Sequence, residues 1–235
     1  MSNSQVGTYK FEAFPFHLDV RGKLSMGVLG KHLLNCADAY AAERGFDVVE
    51  HGGEHYTWVL SRLAIELEDL PSCHESFSIQ TWVENVYRLF ADRNFVICDE
   101  DEKPIGYVRS VWAIISMETR NPANLLALYG DRITNSICEK ECPIAKPGRI
   151  KVSQQEAVSE YVAKYSDLDI NGHVNSIKYI EHILDIFPLD NKKKKALKRF
   201  EIAYVAESYY GDTLCFYMEE KNENEYDIEV RKSST

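Results

Sequence analysis

The 235-residue chain has no run approaching the ~18 continuous apolar residues of a membrane helix, so no spanning segment is expected. Its start, Met1-Ser-Asn-Ser-Gln-Val-Gly-Thr8, lacks the basic residues and apolar stretch of a secretory signal and has no transit-peptide character; the expected location is the cytoplasm. The six cysteines (36, 73, 98, 138, 142 and 215) include no Cys-x-x-Cys pair, which fits reduced thiols better than a disulfide framework. Cys138 and Cys142 lack a second ligand pair, and the glycines of His51-Gly-Gly-Glu-His55 oppose the helix that would align its two rings. No metal and no cofactor are expected. A surplus of positive charge is also missing: the net charge of −10 argues against nucleic acid as a partner. The one basic run, Lys192–Lys195 with Lys198 and Arg199, reads as a solvated loop or as a docking patch for an acidic partner. Finally, no Gly-x-Ser-x-Gly elbow occurs, so a serine-hydrolase mechanism has no support.

What is present suits a globular protein, since 45% hydrophobic and 11% aromatic residues are enough to bury a core. Tyr9–Phe16 reads as an edge strand, Leu24–Arg44 as a helix stopped by Gly45, and His51–Tyr56 as a loop. Thr57–Leu67, Ser76–Tyr87, Arg93–Cys98 and Ile105–Met117 follow as strands. Breaks at Asn-Pro, Cys-Pro and Lys-Pro-Gly mark a linker with one short helix. The order then repeats: strand 157–165, helix 174–187, and strands 197–206, 213–219 and 225–230. A helix followed by antiparallel strands, twice over, is an α+β architecture. The expected domains are 1–122, a linker over 123–150, and 151–235.

The repeat is legible in the residues. Leu18-Asp-Val-Arg-Gly-Lys-Leu-Ser25 matches Leu168-Asp-Ile-Asn-Gly-His-Val-Asn175 at an offset of 168 − 18 = 150. Arg62-Leu-Ala-Ile-Glu-Leu matches Arg199-Phe-Glu-Ile-Ala-Tyr at 199 − 62 = 137. The second copy stops at Thr235 before any counterpart of strand 105–117, which suggests a shortened chain or an early end to its sheet.

Asp169, Asn171 and His173 stand at alternate positions, so in an extended segment they would face one site, just ahead of an apolar helix whose start favours negative charge. Taken singly, each reads as a turn or a helix cap. The repeat weighs against that for the set, because the first copy keeps Asp19 but has Arg21, Lys23 and Leu70 where the second has Asn171, His173 and Glu207. Glu207 is the expected general base on water, with His173 orienting the water or sharing its proton. The Asn171 amide, or N–H groups at the helix start, would stabilise an oxyanion, and Asp169 would fix Asn171 or His173 in its useful orientation.

The segment Ser166–Ile180 resembles the signature of the acyl-acyl-carrier-protein thioesterases, and Trp58–Arg62, Thr81–Val83, Ser110–Ile114 and Thr119-Arg120 resemble further family segments in the same order. The resemblance covers roughly residues 9–230. It implies two tandem hot-dog units, each a long helix packed on an antiparallel sheet, the first supplying scaffold and acyl pocket and the second the chemistry. It implies Asp169, Asn171, His173 and Glu207 as catalytic residues, and hydrolysis of fatty acyl thioesters on acyl carrier protein to release free fatty acid. Ser208 stands where many plant members have cysteine, which favours water activated by Glu207 over a thiol nucleophile. The acidic carrier would meet Lys192–Lys195 and Arg88 or Arg93, and a homodimer is expected. An acyl-CoA thioesterase and a non-catalytic acyl-binding hot-dog module are the alternatives.

Overall fold

Ser25 starts the first long helix: its hydroxyl accepts the Val28 N–H at 3.3 Å and caps α1 (Met26–Glu43). Met26, Leu29, Leu33, Cys36, Ala37 and Tyr40 are buried on one face of α1, and Gly45, at φ +68°, turns the chain beyond its end. The computed structural model describes residues 5–47 and 49–233, with the side chains of Val49 and His51 left undescribed. The His51 half of the His51/His55 pair therefore lies outside the described residues.

In chain order the strands are β1 (Gly7–Glu12), β2 (Val49–His51), β3 (Glu54–Leu67), β4 (Ser76–Val86), β5 (Ala91–Cys98), β6 (Pro104–Ser116), β7 (Ser159–Val162), β8 (Arg199–Ala203), β9 (Thr213–Asn222) and β10 (Glu225–Lys232). Two units emerge, residues up to Pro147 with Leu197–Ala203, and residues from Gly148 with the remaining C-terminal part. In the first, an antiparallel sheet runs β1-β4-β5-β6-β3-β2, and β8 also pairs with β3. The α1 helix packs against β1 and β4. β8 is the repeat counterpart of β3, and the two strands pair about the equivalent positions Ala64 and Glu201 (201 − 64 = 137).

Two expectations in this unit change. Residues 49–56 form a hairpin rather than a loop, because Gly52 and Gly53 both adopt positive φ and close a tight turn. The stretch expected as a linker carries two short helices, α2 (Leu125–Tyr129) and α3 (Asp131–Thr134). Their Leu125, Tyr129 and Ile133 join Tyr40, Phe46, Val83, Ala91 and Ile114 in the core, and Trp58 stacks on Tyr129. Further along, Arg109 donates to the carbonyls of Cys142 and Ile144 at 2.7 Å each. Burying three large apolar side chains stabilises this stretch against the sheet by roughly 1.5–3 kcal/mol each.

In the second unit Asn175 caps α4 (Ser176–Asp185) by accepting the Ile177 N–H at 2.9 Å. Ile177, Ile180 and Ile183 are buried, and the sheet runs β10-β9-β7. Rings of Tyr161 on β7 and His182 on α4 lie 4.0 Å apart, so helix and sheet pack directly. A further short helix, α5 (Leu189–Lys194), carries Lys192–Lys194 where a loop was expected. The architecture is α+β, two tandem hot-dog units. Among the described residues no helix is long and apolar enough to cross a membrane.

Candidate active site

The stretch Leu168–Val174 is a tight turn, not the extended segment that alternation suggested. Leu168 bridges Val174, and the Asp169 N–H donates to the His173 carbonyl at 2.8 Å. Oδ1 of Asp169 accepts the N–H groups of Asn171 at 2.8 Å and His173 at 3.1 Å, and Gly172 takes φ +79°. Asp169 therefore acts through the backbone, holding the turn that displays Asn171 and His173. The Asn171 side chain is exposed on its tip.

The first copy reproduces this frame. Asp19 accepts the N–H groups of Arg21 and Lys23 at 2.8 and 3.3 Å, and Gly22 takes φ +72°. Leu24 donates to the Pro71 carbonyl as Val174 donates to that of Ser208, each at 2.8 Å, and both repeat offsets hold at once. The side chains differ. Lys23 reaches Asp69 at 2.8 Å and Leu70 is buried, whereas His173 Nε2 lies 3.5 Å from Glu207 Oε2.

Glu207 comes from an irregular segment after β8 that is bound to the turn by the Val174–Ser208 bond and a bridge between His173 and Tyr209. The Tyr209 hydroxyl donates to Glu207 Oε2 at 3.3 Å, and its ring meets the His173 ring edge-on at 5.1 Å. Glu207 is the more open partner, 37% exposed against 18% for His173. A carboxylate and an imidazole 3.5 Å apart, one of them open to solvent, suit holding and deprotonating a water. Ser208 is buried beside them and serves the frame through its carbonyl. The turn therefore brings His173 to Glu207, while the Asp169 carboxylate accepts backbone N–H groups of the turn.

Four residues join the site that sequence reasoning missed. Tyr209 had one signal: two positions beyond Glu207, it shares a face with it in an extended segment. The others lie behind the turn, where buried Asp167 accepts the Lys164 N–H at 2.7 Å, the Tyr161 hydroxyl at 2.8 Å and His182 Nε2 at 3.1 Å. Burial by itself would raise the Asp167 carboxyl, but these donors outweigh it and hold it below the usual carboxylate range. Burial, then the bond to Asp167, pushes the Tyr161 phenol up to about 12. The offset of 150 maps this trio onto Phe11, His17 and His32, whose rings pack similarly, Phe11 on His32 at 4.2 Å. The cluster locks the second-copy turn to β7 and α4.

Models of the acyl-ACP thioesterase N-terminal and C-terminal domains match residues 5–130 and 150–234. An acyl-ACP thioesterase of known structure from Bacteroides thetaiotaomicron is 57% identical, with a TM-score of 0.92 over 98% of this chain and 93% of that one. The 12:0-ACP thioesterase from Umbellularia californica shares the fold at 15% identity, with a TM-score of 0.85 over 99% and 94% of the two chains. Among curated relatives, the chloroplastic palmitoyl-acyl carrier protein thioesterase of Arabidopsis thaliana is 24% identical over 63% of this chain and 37% of its own length. A chloroplastic oleoyl-acyl carrier protein thioesterase of the same plant is 27% identical over 67% and 46%. The match thus spans less than half the length of either plant protein. With both domain models matched in order along nearly the whole sequence, the chain belongs to the acyl-ACP thioesterase family.

Proposed function

We propose that this protein hydrolyses fatty acyl thioesters carried on acyl carrier protein. The observation that carries the reading is the His173–Glu207 pair, 3.5 Å apart on a frame that the first copy shares without those side chains. In this scheme Glu207 takes a proton from a water that His173 orients, and the water oxygen attacks the thioester carbonyl. The exposed Asn171 amide donates to the oxyanion, an interaction worth ~3 kcal/mol in the transition state. Collapse breaks the C–S bond, the proton on Glu207 passes to the sulfur, and the free acid and the carrier thiol leave. Asp169 holds the turn and does not touch substrate. Ser208, buried and bonded through its carbonyl, has no nucleophilic role.

The carrier would dock on Lys193, Lys194 and Lys195, which are exposed on and just after α5, while Lys192 is partly occupied by Asp185 at 3.2 Å. Arg93, expected at that surface, is only 6% exposed and drops out. The reading also carries a cytoplasmic location and a homodimer, the latter open to light scattering. The test is hydrolysis of carrier-bound and coenzyme A thioesters over a range of chain lengths, with His173→Ala alongside. Turnover of carrier substrates that vanishes in the variant supports the reading; binding of acyl ligands without turnover makes the protein a lipid-binding module.

A further inference from the structure

One polar group on α4 is left without a partner by the packing around it. The Tyr179 hydroxyl is buried, yet among the described residues none meets it in normal hydrogen-bond geometry. Burial pushes its phenol above the usual range; the Ser208 hydroxyl acts against that rise, and Asp212 adds to it. Two of the groups around it are committed elsewhere. The Tyr204 ring meets the Tyr179 ring edge-on at 6.0 Å, but its own hydroxyl donates to the Ser176 carbonyl at 2.8 Å. Asp212 accepts the Tyr209 N–H at 2.9 Å and pairs with Lys232 at 3.6 Å. That leaves Ser208 as the acceptor, 4% exposed and next in sequence to Glu207.

The first copy shows that the frame does not need these hydroxyls. At the offset of 150 Tyr179 falls on Leu29, and at 137 Tyr204 and Ser208 fall on Leu67 and Pro71, all three buried and apolar. Leu24 and Val174 donate to the carbonyls of Pro71 and Ser208 alike, so the backbone bond forms with or without a hydroxyl there. A buried donor without an acceptor costs free energy, and leucine at this place would avoid the cost. The hydroxyl is therefore found in the copy that carries His173 and Glu207, and it is unbonded at rest. Catalytic hydrogen bonds are often long in a free enzyme and tighten in the transition state, where alone they add to the rate.

We propose, on the hydrolytic reading, that Tyr179 is a positioning residue: its hydroxyl donates to Ser208 Oγ in the transition state and so holds the adjoining Glu207 beside His173. The segment carrying Glu207 is irregular, so a small shift of Ser208 towards α4 takes Glu207 with it.

The test is steady-state hydrolysis of a carrier-bound acyl thioester by the full chain, by Tyr179→Phe, by Ser208→Ala and by the double variant, with urea midpoints alongside. Tyr179→Phe should lower kcat about five- to tenfold at constant KM, the worth of one hydrogen bond made only in the transition state. Its midpoint should not fall, because no bond is lost at rest. Ser208→Ala should match that loss of rate, and the double variant should lose no more. If Ser208→Ala does not fold, the kcat and midpoint of Tyr179→Phe decide. A rate loss in Tyr179→Phe matched by a lower midpoint, or additive losses in the double variant, would overturn the assignment. Wild-type turnover untouched by Tyr179→Phe would leave hydrolysis standing and remove Tyr179 from it, whereas no wild-type turnover would end both.

Discussion

Replacing Asp167 with Asn tests whether the buried cluster behind the turn holds the site in place. The carboxylate accepts three hydrogen bonds, from the Lys164 N–H, the Tyr161 hydroxyl and His182 Nε2, at 2.7, 2.8 and 3.1 Å. An ionised carboxylate only accepts, so His182 carries a proton on Nε2; an amide offers one accepting oxygen and sets an N–H₂ against one of the donors. Losing one charge-assisted bond at ~1.5–3 kcal/mol and leaving a buried donor unsatisfied at ~1–3 kcal/mol gives a cost of about 2.5–6 kcal/mol. Urea denaturation followed by circular dichroism measures it as a fall in midpoint at constant slope. The pH dependence supplies a second readout. Because the folded-state pKa of Asp167 is depressed, its contribution is complete above the unfolded value near ~3.9 and is lost as pH falls through the lower folded value. Asp167→Asn should therefore flatten the acid side of the stability profile. A cost under about 1 kcal/mol, with the acid limb unchanged, would refute the idea that this carboxylate anchors the turn.

Four further outcomes follow from the same geometry. Glu207→Gln should lower kcat on carrier thioesters by ~10²–10⁴-fold while leaving the urea midpoint in place, since Glu207 is 37% exposed. Tyr209→Phe keeps the ring against His173 and removes a 3.3 Å bond to Glu207, so kcat should fall roughly fivefold, the equivalent of about 1 kcal/mol; an unchanged rate would remove Tyr209 from the site. Gly172→Ala puts a Cβ into open space but at φ +79°, and should destabilise by ~1–2 kcal/mol through backbone strain alone, read from the urea midpoint. Reversing the charges of Lys193, Lys194 and Lys195 should raise KM for carrier substrates and spare coenzyme A esters; an equal effect on both would end the docking role.

What the chain alone determined was local or periodic. Both repeat offsets, 150 and 137, were readable in single residues, and in the folded protein they reappear as paired hydrogen bonds to Pro71 and Ser208. The starts of α1 and α4 were legible because caps at Ser25 and Asn175 act within a few residues. The same locality misled at Asp169–His173: alternation implied a strand, while the Asp169 side chain and Gly172 close a turn. The packing of residues 123–147 was hidden because its proline and glycine breaks look like a linker until the core presents a surface for Leu125, Tyr129 and Ile133. Only the tertiary structure set Glu207 and Tyr209 beside His173, and Asp167 between Tyr161 and His182, because these groups meet from separate segments. It also decided the place of Arg93. A basic residue in a strand reads as surface, and burial is a property of what packs over it.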